Sequence, residues 1–279
     1  MRVIVIDNAS TDGTVAEARK FGVEVIANSQ NRGFAGAANQ GVQAADEAAV
    51  VLLLNPDVCL QTGVAPLIDA AQEHGVAGGR LTAADGSTQV GFTIRAFPTT
   101  AVLALELLGI NRLWTGNPWN RKYRYLDRDL MNAGPADQPA GAFLMLRRSV
   151  WDELGGFNES FWPIWFEDVD FCFRAAAAGH KPWFIPQVSA SHWGGHSINK
   201  IDISSKQVYW YDNLLRYAEL HFGNNAVRIL CLAGAIGAIP RALTGMVQER
   251  SLRPIGSCFR NLSFLGKRLV SGRERKHAR

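Results

Sequence analysis

Cysteine is scarce and scattered. Cys59, Cys172, Cys231 and Cys258 stand singly, with no CxxC pair, which excludes a disulfide scaffold and a thiolate zinc site. All four are expected to be small buried hydrophobes in a reducing compartment. No secretory leader is found: Val3-Ile4-Val5-Ile6 is too short for one and is closed by Asp7, so the expected location is inside the cell. Long hydrophobic runs are missing too. The most apolar stretch, 226–247, is interrupted by Arg228 and Arg241 and carries Pro240, so its uncharged part, 229–240, is 12 residues long, against the roughly 18–20 that span a bilayer. No GxGxxG follows the first apolar run, which argues against an NAD-type oxidoreductase. There is no internal repeat and no low-complexity linker. Charged residues make up only 19% of the chain against 47% hydrophobic, a balance that excludes disorder. At 279 residues a folded chain buries roughly three quarters of the surface its unfolded form exposes, enough for a sizeable core.

The charge that is present is unevenly placed. The chain has 29 Lys/Arg and 25 Asp/Glu, a net of +4. Residues 250–279 hold 9 of the basic side chains and 1 acidic one (Glu274), a balance of +8, which leaves 20 basic and 24 acidic, or −4, for residues 1–249. A basic tail suits nucleic acid or an anionic membrane. No nucleic-acid recognition motif accompanies it, whereas the apolar stretch 226–247 directly precedes it. That pairing fits a helix lying in a membrane interface, where each Lys or Arg near an anionic leaflet adds about 1 kcal/mol. The competing reading is a helix packed on the main body or in a dimer.

Along the first hundred residues, short apolar runs alternate with helix-like segments, the pattern of βα units and a parallel sheet. Val3–Ile6, Val23–Ala27 and Ala49–Leu54 read as strands, Thr14–Lys20 and an Ala-rich segment through about Ala45 as helices. The loop Asn31-Arg32-Gly33-Phe34-Ala35-Gly36 opens that second helix. The middle, 80–135, is less regular, with short strands and an apolar helix near Ala101–Leu108; then come a strand at Gly141–Leu146, the segment Ser149–Leu154 with its Gly155-Gly156 turn, and a strand at Trp183–Ile185. From Lys206 a helix is expected, because Val208, Tyr211, Leu215, Ala218 and Phe222 recur at helical spacing. Five of the eight tryptophans, at 151, 162, 165, 183 and 193, fall in one stretch and could wall a cleft or simply fill core.

Three constellations could carry chemistry. Asp7 and Asp57 each close an apolar strand, and in a parallel sheet both would emerge at the carboxyl edge, where ligands bind. Two carboxylates there could hold a hard divalent cation, which completes its shell with phosphates and water; a single strand-end Asp is otherwise a helix cap or turn former. The run Trp165-Phe166-Glu167-Asp168-Val169-Asp170 sets three acids among aromatics, costly unless they have partners or a task. Asp168, near the start of the helix expected there, would stay ionised and able to take a proton. In Ser191-His192-Trp193-Gly194-Gly195-His196-Ser197, a histidine beside two glycines can approach a metal or phosphate, and His192 and His196 compete for that role.

These motifs, in this order, resemble the inverting nucleotide-sugar glycosyltransferases of family 2, which have the GT-A fold, and in particular their rhamnosyltransferase-like bacterial members. The matching blocks are residues 5–14, 31–41, 52–57, 141–148, 155–157, 166–170 and His192 with Gly194, Gly195 and Ser197. The resemblance, over about residues 3–200, implies an α/β fold with a mixed, mainly parallel sheet flanked by helices; the apolar stretch and basic tail that follow point to a helical, membrane-associating C-terminal extension and so to a lipid-linked acceptor. It implies a nucleotide-sugar-binding half (1–100), an acceptor-binding and catalytic half (101–200) and the extension (201–279). Asp7, Asn8, Asn31, Gly33, Asn39 and Asn55 would lie by the nucleotide sugar. Asp57, with His192 as a further ligand, would hold Mg²⁺ or Mn²⁺ bridging the donor diphosphate. Asp168 would be the general base, with Glu167 beside it in the catalytic group, Glu167 and Asp170 positioning acceptor and helix, and Trp165 and Asp170 on the acceptor side. The acceptor would be a glycan or polyprenyl-linked precursor at the inner face of the cell membrane. One departure stands out: family members normally begin with a further strand and helix ahead of the position where Met1 falls; the expectation is a start placed too late, and the alternative is a chain that lost a central strand and acts as an impaired binding or scaffold protein.

Overall fold

The computed structural model describes residues 1–194 and 203–271. Gly195, His196, Ser197 and residues 272–279 of the basic tail lie outside the described residues. In chain order the elements are β1 (Ile4–Asp7), α1 (Thr14–Lys20), β2 (Glu24–Ala27), α2 (Gly33–Ala44), β3 (Val50–Leu54), β4 (Val58–Leu60), α3 (Ala65–His74) and β5 (Val76–Thr82). There follow β6 (Ile94–Arg95), α4 (Thr100–Leu108), α5 (Ile110–Leu113), α6 (Pro118–Tyr123), β7 (Gly134–Pro135), β8 (Gln138–Pro139), β9 (Phe143–Arg147) and α7 (Arg148–Leu154). The last are α8 (Glu167–Ala177), β10 (Trp183–His192), α9 (Ile203–Phe222), α10 (Asn224–Glu249) and α11 (Arg253–Ser271).

The chain divides into two compact units, residues 1–97 with 124–197, and residues 98–123 with 198–279. This is a different partition from three consecutive blocks. Strand β9, from the second block, pairs with both β3 and β5 of the first, so the expected donor and acceptor halves share one sheet. The irregular segment 98–123 belongs instead with the C-terminal helices.

In the first unit the main sheet has the order β3-β9-β5-β10-β4, with β7 added on β10. It is mixed, as expected, but the balance of its pairings is antiparallel: among the described residues only β1·β2 and β5·β10 run parallel. β4 follows β3 after only Asn55-Pro56-Asp57 but pairs antiparallel with β10, at the other end of the strand order. Strand β9 is buried on both faces, which explains its unbroken apolar run. Phe143 and Met145 point into one core with Leu67, Ala71 and Leu81, under α3. Leu144 and Leu146 point into the other with Trp151, Phe157, Phe171 and Cys172. Strand β3 alternates in the same way, Val50 and Leu52 against Val51 and Leu53, the period-two rule of a pleated strand.

Strands β1 and β2 form a separate two-stranded sheet. Helix α2 packs on β1, with Gly41 set against Ile6, while its Ala35 and Val42 enter the core that holds Leu144 and Leu146. The single carboxyl edge expected for Asp7 and Asp57 is thus divided between two sheets. The cysteines divide as well: Cys172 and Cys231 are buried, whereas Cys59 is exposed and Cys258 half-buried, because β4 is an edge strand.

The second unit is helical. Helix α10 continues through Pro240, so the stretch that sequence alone breaks at its arginines is long and apolar enough to cross a membrane by length and composition. Arg241 turns inward: it donates to Leu107 O (2.6 Å), the Tyr211 hydroxyl (2.5 Å) and Gly234 O (3.4 Å). Its charge is thereby placed on a carbonyl at the C-terminal end of α4, where a cation is favoured. The other side of α10 carries Ile229, Leu232, Ile236, Ile239, Leu243 and Val247, all exposed and at helical spacing.

Candidate active site

All of the site lies in the first unit. Asp57 and His192 meet because β4 begins immediately after Asp57 and pairs antiparallel with the end of β10, with Val58 opposite His192. Trp193 N donates to Asp57 O over 3.1 Å and locks that register. The side chains then face each other, His192 Nε2 lying 3.7 Å from Asp57 Oδ1, with only 8% and 10% of the two side chains exposed. Asp57 Oδ1 is buried with no hydrogen-bond partner.

Burial pushes the His192 imidazole below its ordinary value, against the pull of the Asp57 charge, so the ring is neutral at pH 7. Its Nδ1 faces Gln89 Oε1 at 3.0 Å, which leaves the Nε2 lone pair towards Asp57. An unpartnered carboxylate oxygen and a ring lone pair across 3.7 Å are two acceptors without a donor, a pair that suits a cation. Among the described residues no group of three His, Cys, Asp or Glu could hold an ion by itself. Two ligands fit Mg²⁺ or Mn²⁺, which take the rest of their shell from phosphates and water.

Asp168 is the first-turn carboxylate of α8. Its Oδ1 accepts from Val169 N (2.8 Å), and its Oδ2 from Gly141 N (2.9 Å) and Gln138 Nε2 (3.3 Å). Half-exposed, it keeps lone pairs available and a fixed orientation. The chain just before it, Trp165 and Phe166, is in the left-handed region with φ of 83° and 74°, a conformation that costs of order 1–3 kcal/mol per non-glycine residue and collects at functional sites. Phe34 N, in the first turn of α2, donates to Pro163 O over 2.7 Å. Gly33 (φ +73°) lies so close to this loop that an added Cβ would come within 2.8 Å of the Trp162 ring.

Glu167 is a different kind of carboxyl. It is buried, its Oε2 has no partner, and burial together with the adjacent Asp168 charge pushes it well above the usual carboxylate range. Its surroundings therefore favour the neutral acid over the carboxylate. Asp170 turns inward, with its side chain buried. It pairs with Arg174 at 2.8 Å, and Arg174 also donates to Leu154 O and Gly156 O.

On the expected nucleotide side, Asp7 Oδ2 accepts from Ser10 N (3.1 Å). Asn8 and Asn31 build the glycine loop: Asn8 Nδ2 donates to Asn31 Oδ1 and Gly33 O, and Asn8 Oδ1 accepts from Arg32 N. Asn39 is committed elsewhere, because its amide makes a two-way clamp on the Phe157 backbone (2.9 Å each way) and donates to Glu159. Asn55 N donates to Ala142 O (3.0 Å). Of the tryptophans, Trp151 is core with Phe157 and Phe171, Trp183 stacks on His74, and Trp193 is exposed.

Three successive residues tie these groups together. Ala140 N donates to Thr93 O, Gly141 N to Asp168, and Ala142 O accepts from Asn55 N, so the entry to β9 joins the aspartate of α8 to the turn that carries Asp57. Gln89, Phe92 and Gln138 belong to this site and were not singled out by sequence reading. Gln89 and Phe92 lie in an irregular segment and Gln138 in the two-residue β8, too short for any periodicity, and the one available signal is the Asp85-Gly86 turn ahead of Gln89.

A mixed sheet flanked by helices, with a carboxylate base candidate at the start of α8 and a cation-suited Asp–His pair where β4 meets the end of β10, fits the GT-A glycosyltransferase class. The fold is similar to that of a mannosyltransferase from Pyrobaculum calidifontis solved with GDP-Man and Mn²⁺ (TM-score 0.51, 15% identity, 98% of this chain and 79% of that one). It is also similar to GalNAc-T7 solved with UDP, GalNAc and Mn²⁺ (TM-score 0.51, 15% identity), where the match takes 69% of this chain and only 38% of that longer one. The family model for glycosyl transferase family 2 matches residues 1–155, and the chain belongs to that family and is a glycosyltransferase. A curated relative, the N-acetylglucosaminyl-diphospho-decaprenol L-rhamnosyltransferase of Mycobacterium tuberculosis, is 28% identical over 237 residues, 79% of this chain and 76% of the relative.

Proposed function

We propose that this glycosyltransferase is an inverting enzyme that moves L-rhamnose from dTDP-L-rhamnose to a hydroxyl of a polyprenyl-linked glycan precursor at the inner face of the cell membrane. The observation that carries the chemistry is the fixed, half-exposed Asp168 carboxylate on its Gly141 and Gln138 donors. It would take the proton of the acceptor hydroxyl as that oxygen bonds to the anomeric carbon from the face opposite the leaving group. The bond from the anomeric carbon to the phosphate oxygen breaks, and the nucleoside diphosphate departs with the electron pair. Asp57 and His192 would hold Mg²⁺ or Mn²⁺, which when bound offsets the charge on that departing diphosphate. Loop residues 31–33 and Asp7 would line the donor side. The choice of donor sugar and of a lipid-linked acceptor rests on the likeness to the mycobacterial rhamnosyltransferase.

The membrane assignment rests on the exposed stripe of α10 and the charge around it. Residues 224–271 hold seven Lys/Arg and one acid, Glu249, and the exposed Arg228, Arg250 and Arg253 accompany the stripe. An apolar face bordered by cations is the form of a helix lying in an anionic interface.

The test is nucleoside diphosphate release by the purified chain with dTDP-, UDP- and GDP-sugars, Mg²⁺ or Mn²⁺, and a polyprenyl-diphosphate-linked acceptor. Release with dTDP-L-rhamnose that needs the acceptor, stops on chelation and falls about 10²–10⁴-fold in Asp168→Asn is expected. Turnover that survives Asp168→Asn would remove the base from the reading, and turnover with another donor alone would replace the sugar.

A further inference from the structure

We propose that Gln89 is a positioning residue for His192: it fixes the ring as the Nδ1–H tautomer and aims the Nε2 lone pair at Asp57. Part of the argument needs no ligand. Gln89 Nε2 donates to His192 O over 2.8 Å. A backbone carbonyl can only accept, so the amide orientation is settled and the atom facing His192 Nδ1, at 3.0 Å, is the carbonyl oxygen Oε1. An amide oxygen can only accept, so Nδ1 must carry the hydrogen. One side chain thus grips both the backbone and the ring of the same histidine, and Phe92 closes the ring face, stacked at 4.9 Å between centroids and 10° between planes.

The chain makes a dedicated excursion to bring Gln89 there. Strand β5 lies parallel to β10 with Thr82 opposite Ser191, and beyond Thr82 the chain reverses through Asp85 and Gly86. Asp85 caps Ser87 N (3.0 Å), Gly86 takes φ +80°, and Thr88 returns opposite Thr82. Gln89 N then donates to Leu81 O, Thr93 N donates to Gln89 O, and Thr93 O holds Ala140 N. The turn that seats Gln89 is therefore tied to the same three-residue entry of β9 that orients Asp168. Free neutral imidazole favours the other tautomer, and without Gln89 a proton on Nε2 would occupy the position facing Asp57. Partners behind a ligating histidine typically account for 10–100-fold in metal affinity. The metal consequence rests on the reading of Asp57 and His192 as the cation ligands; the tautomer does not.

The experiment uses the full chain, labelled with ¹⁵N-histidine, in long-range ¹H–¹⁵N NMR without metal, followed by Mn²⁺ titration read by electron paramagnetic resonance. Wild type is expected to show pyrrole-type Nδ1 and pyridine-type Nε2 for His192. Gln89→Met should move the ring towards Nε2–H and weaken Mn²⁺ about 10–100-fold. Gln89→Glu, whose carboxylate still accepts from Nδ1–H, should restore the tautomer and most of the affinity. His192→Ala should bind Mn²⁺ no better than Gln89→Met, and the double variant no worse than His192→Ala alone. An unchanged Nδ1–H tautomer in Gln89→Met overturns the proposal, as does Nε2–H in wild type. Mn²⁺ affinity untouched by His192→Ala overturns the metal reading instead, while the metal-free tautomer still decides for or against Gln89.

Discussion

Gly141 donates its backbone N–H to Asp168 Oδ2 over 2.9 Å, and the approach is possible only because residue 141 has no side chain. An added Cβ would lie 2.9 Å from Asp168 Cβ and 3.1 Å from Oδ2. Gly141→Ala is therefore expected to push the carboxylate off its position while the sheet stays intact. Misplacement of a reacting group by about 1 Å can cost 10²-fold, so turnover should fall by about that factor with little change in donor KM. Overpacking should cost about 1–3 kcal/mol of stability. Steady-state kinetics beside thermal unfolding separates the two effects, and unchanged turnover would mean that Asp168 does not act from this position.

Glu167 gives a pH dependence of definite sign. Its buried carboxyl stays protonated above the ordinary value of 4.5, where the unfolded chain has already released that proton. The folded state then binds more protons than the unfolded one, so this residue's contribution to stability declines as pH rises above 4.5 towards the folded value. Glu167→Gln keeps the shape and cannot ionise. Its melting temperature should exceed wild type at pH 8, with the margin shrinking towards pH 5; a margin independent of pH would contradict a neutral Glu167. Glu167→Gln should also keep most of its turnover, in contrast to Asp168→Asn.

The elements that sequence discloses are those whose residues answer to local rules. The apolar run 50–54 becomes β3, and the segment from Thr14 ended by Gly22 (φ +66°) becomes α1. Asp168 was legible because three acids in an aromatic run demand an account. A motif position does not say which way a side chain turns: Asn39 clamps Phe157, and Asp170 pairs with Arg174. Parallel pairing was inferred from alternating strands and helices, but the place of β9 between β3 and β5 depends on contacts far apart in sequence. Gln89 was invisible for the same reason, being 103 residues from the histidine it holds.

The exposed stripe of α10 makes a prediction about membranes. Burying one Ile or Leu side chain is worth about 1.5–3 kcal/mol, so Ile236→Glu with Ile239→Glu should weaken binding to vesicles rich in anionic phospholipid by at least about 100-fold in co-sedimentation. Added salt should weaken the wild type, because the basic flanks contribute electrostatically. Both residues are already exposed, so unfolding temperature should hardly move. Equal binding by variant and wild type would take the stripe out of the membrane reading.

The Asp170–Arg174 pair shows how a buried motif acid would affect the enzyme by holding its helix. Only 2% of the Asp170 side chain is exposed, and Arg174 Nε sits 2.8 Å from its Oδ2. The same guanidinium donates to Leu154 O (2.7 Å) and Gly156 O (2.8 Å), so one ion pair pins the turn after α7 to the helix that begins with Glu167 and Asp168. Arg174→Met removes the Arg174 cation from Asp170 and the donor from both carbonyls, and should destabilise by about 3–5 kcal/mol. Asp170→Leu with Arg174→Met removes both charges and should recover part of that loss, since a buried pair replaced by apolar residues is often neutral. Chemical denaturation of wild type, the two single variants and the double variant gives the coupling directly. Additive losses would show that the pair does not act as a unit, whereas a double variant stabler than Arg174→Met would assign Asp170 to holding the helix.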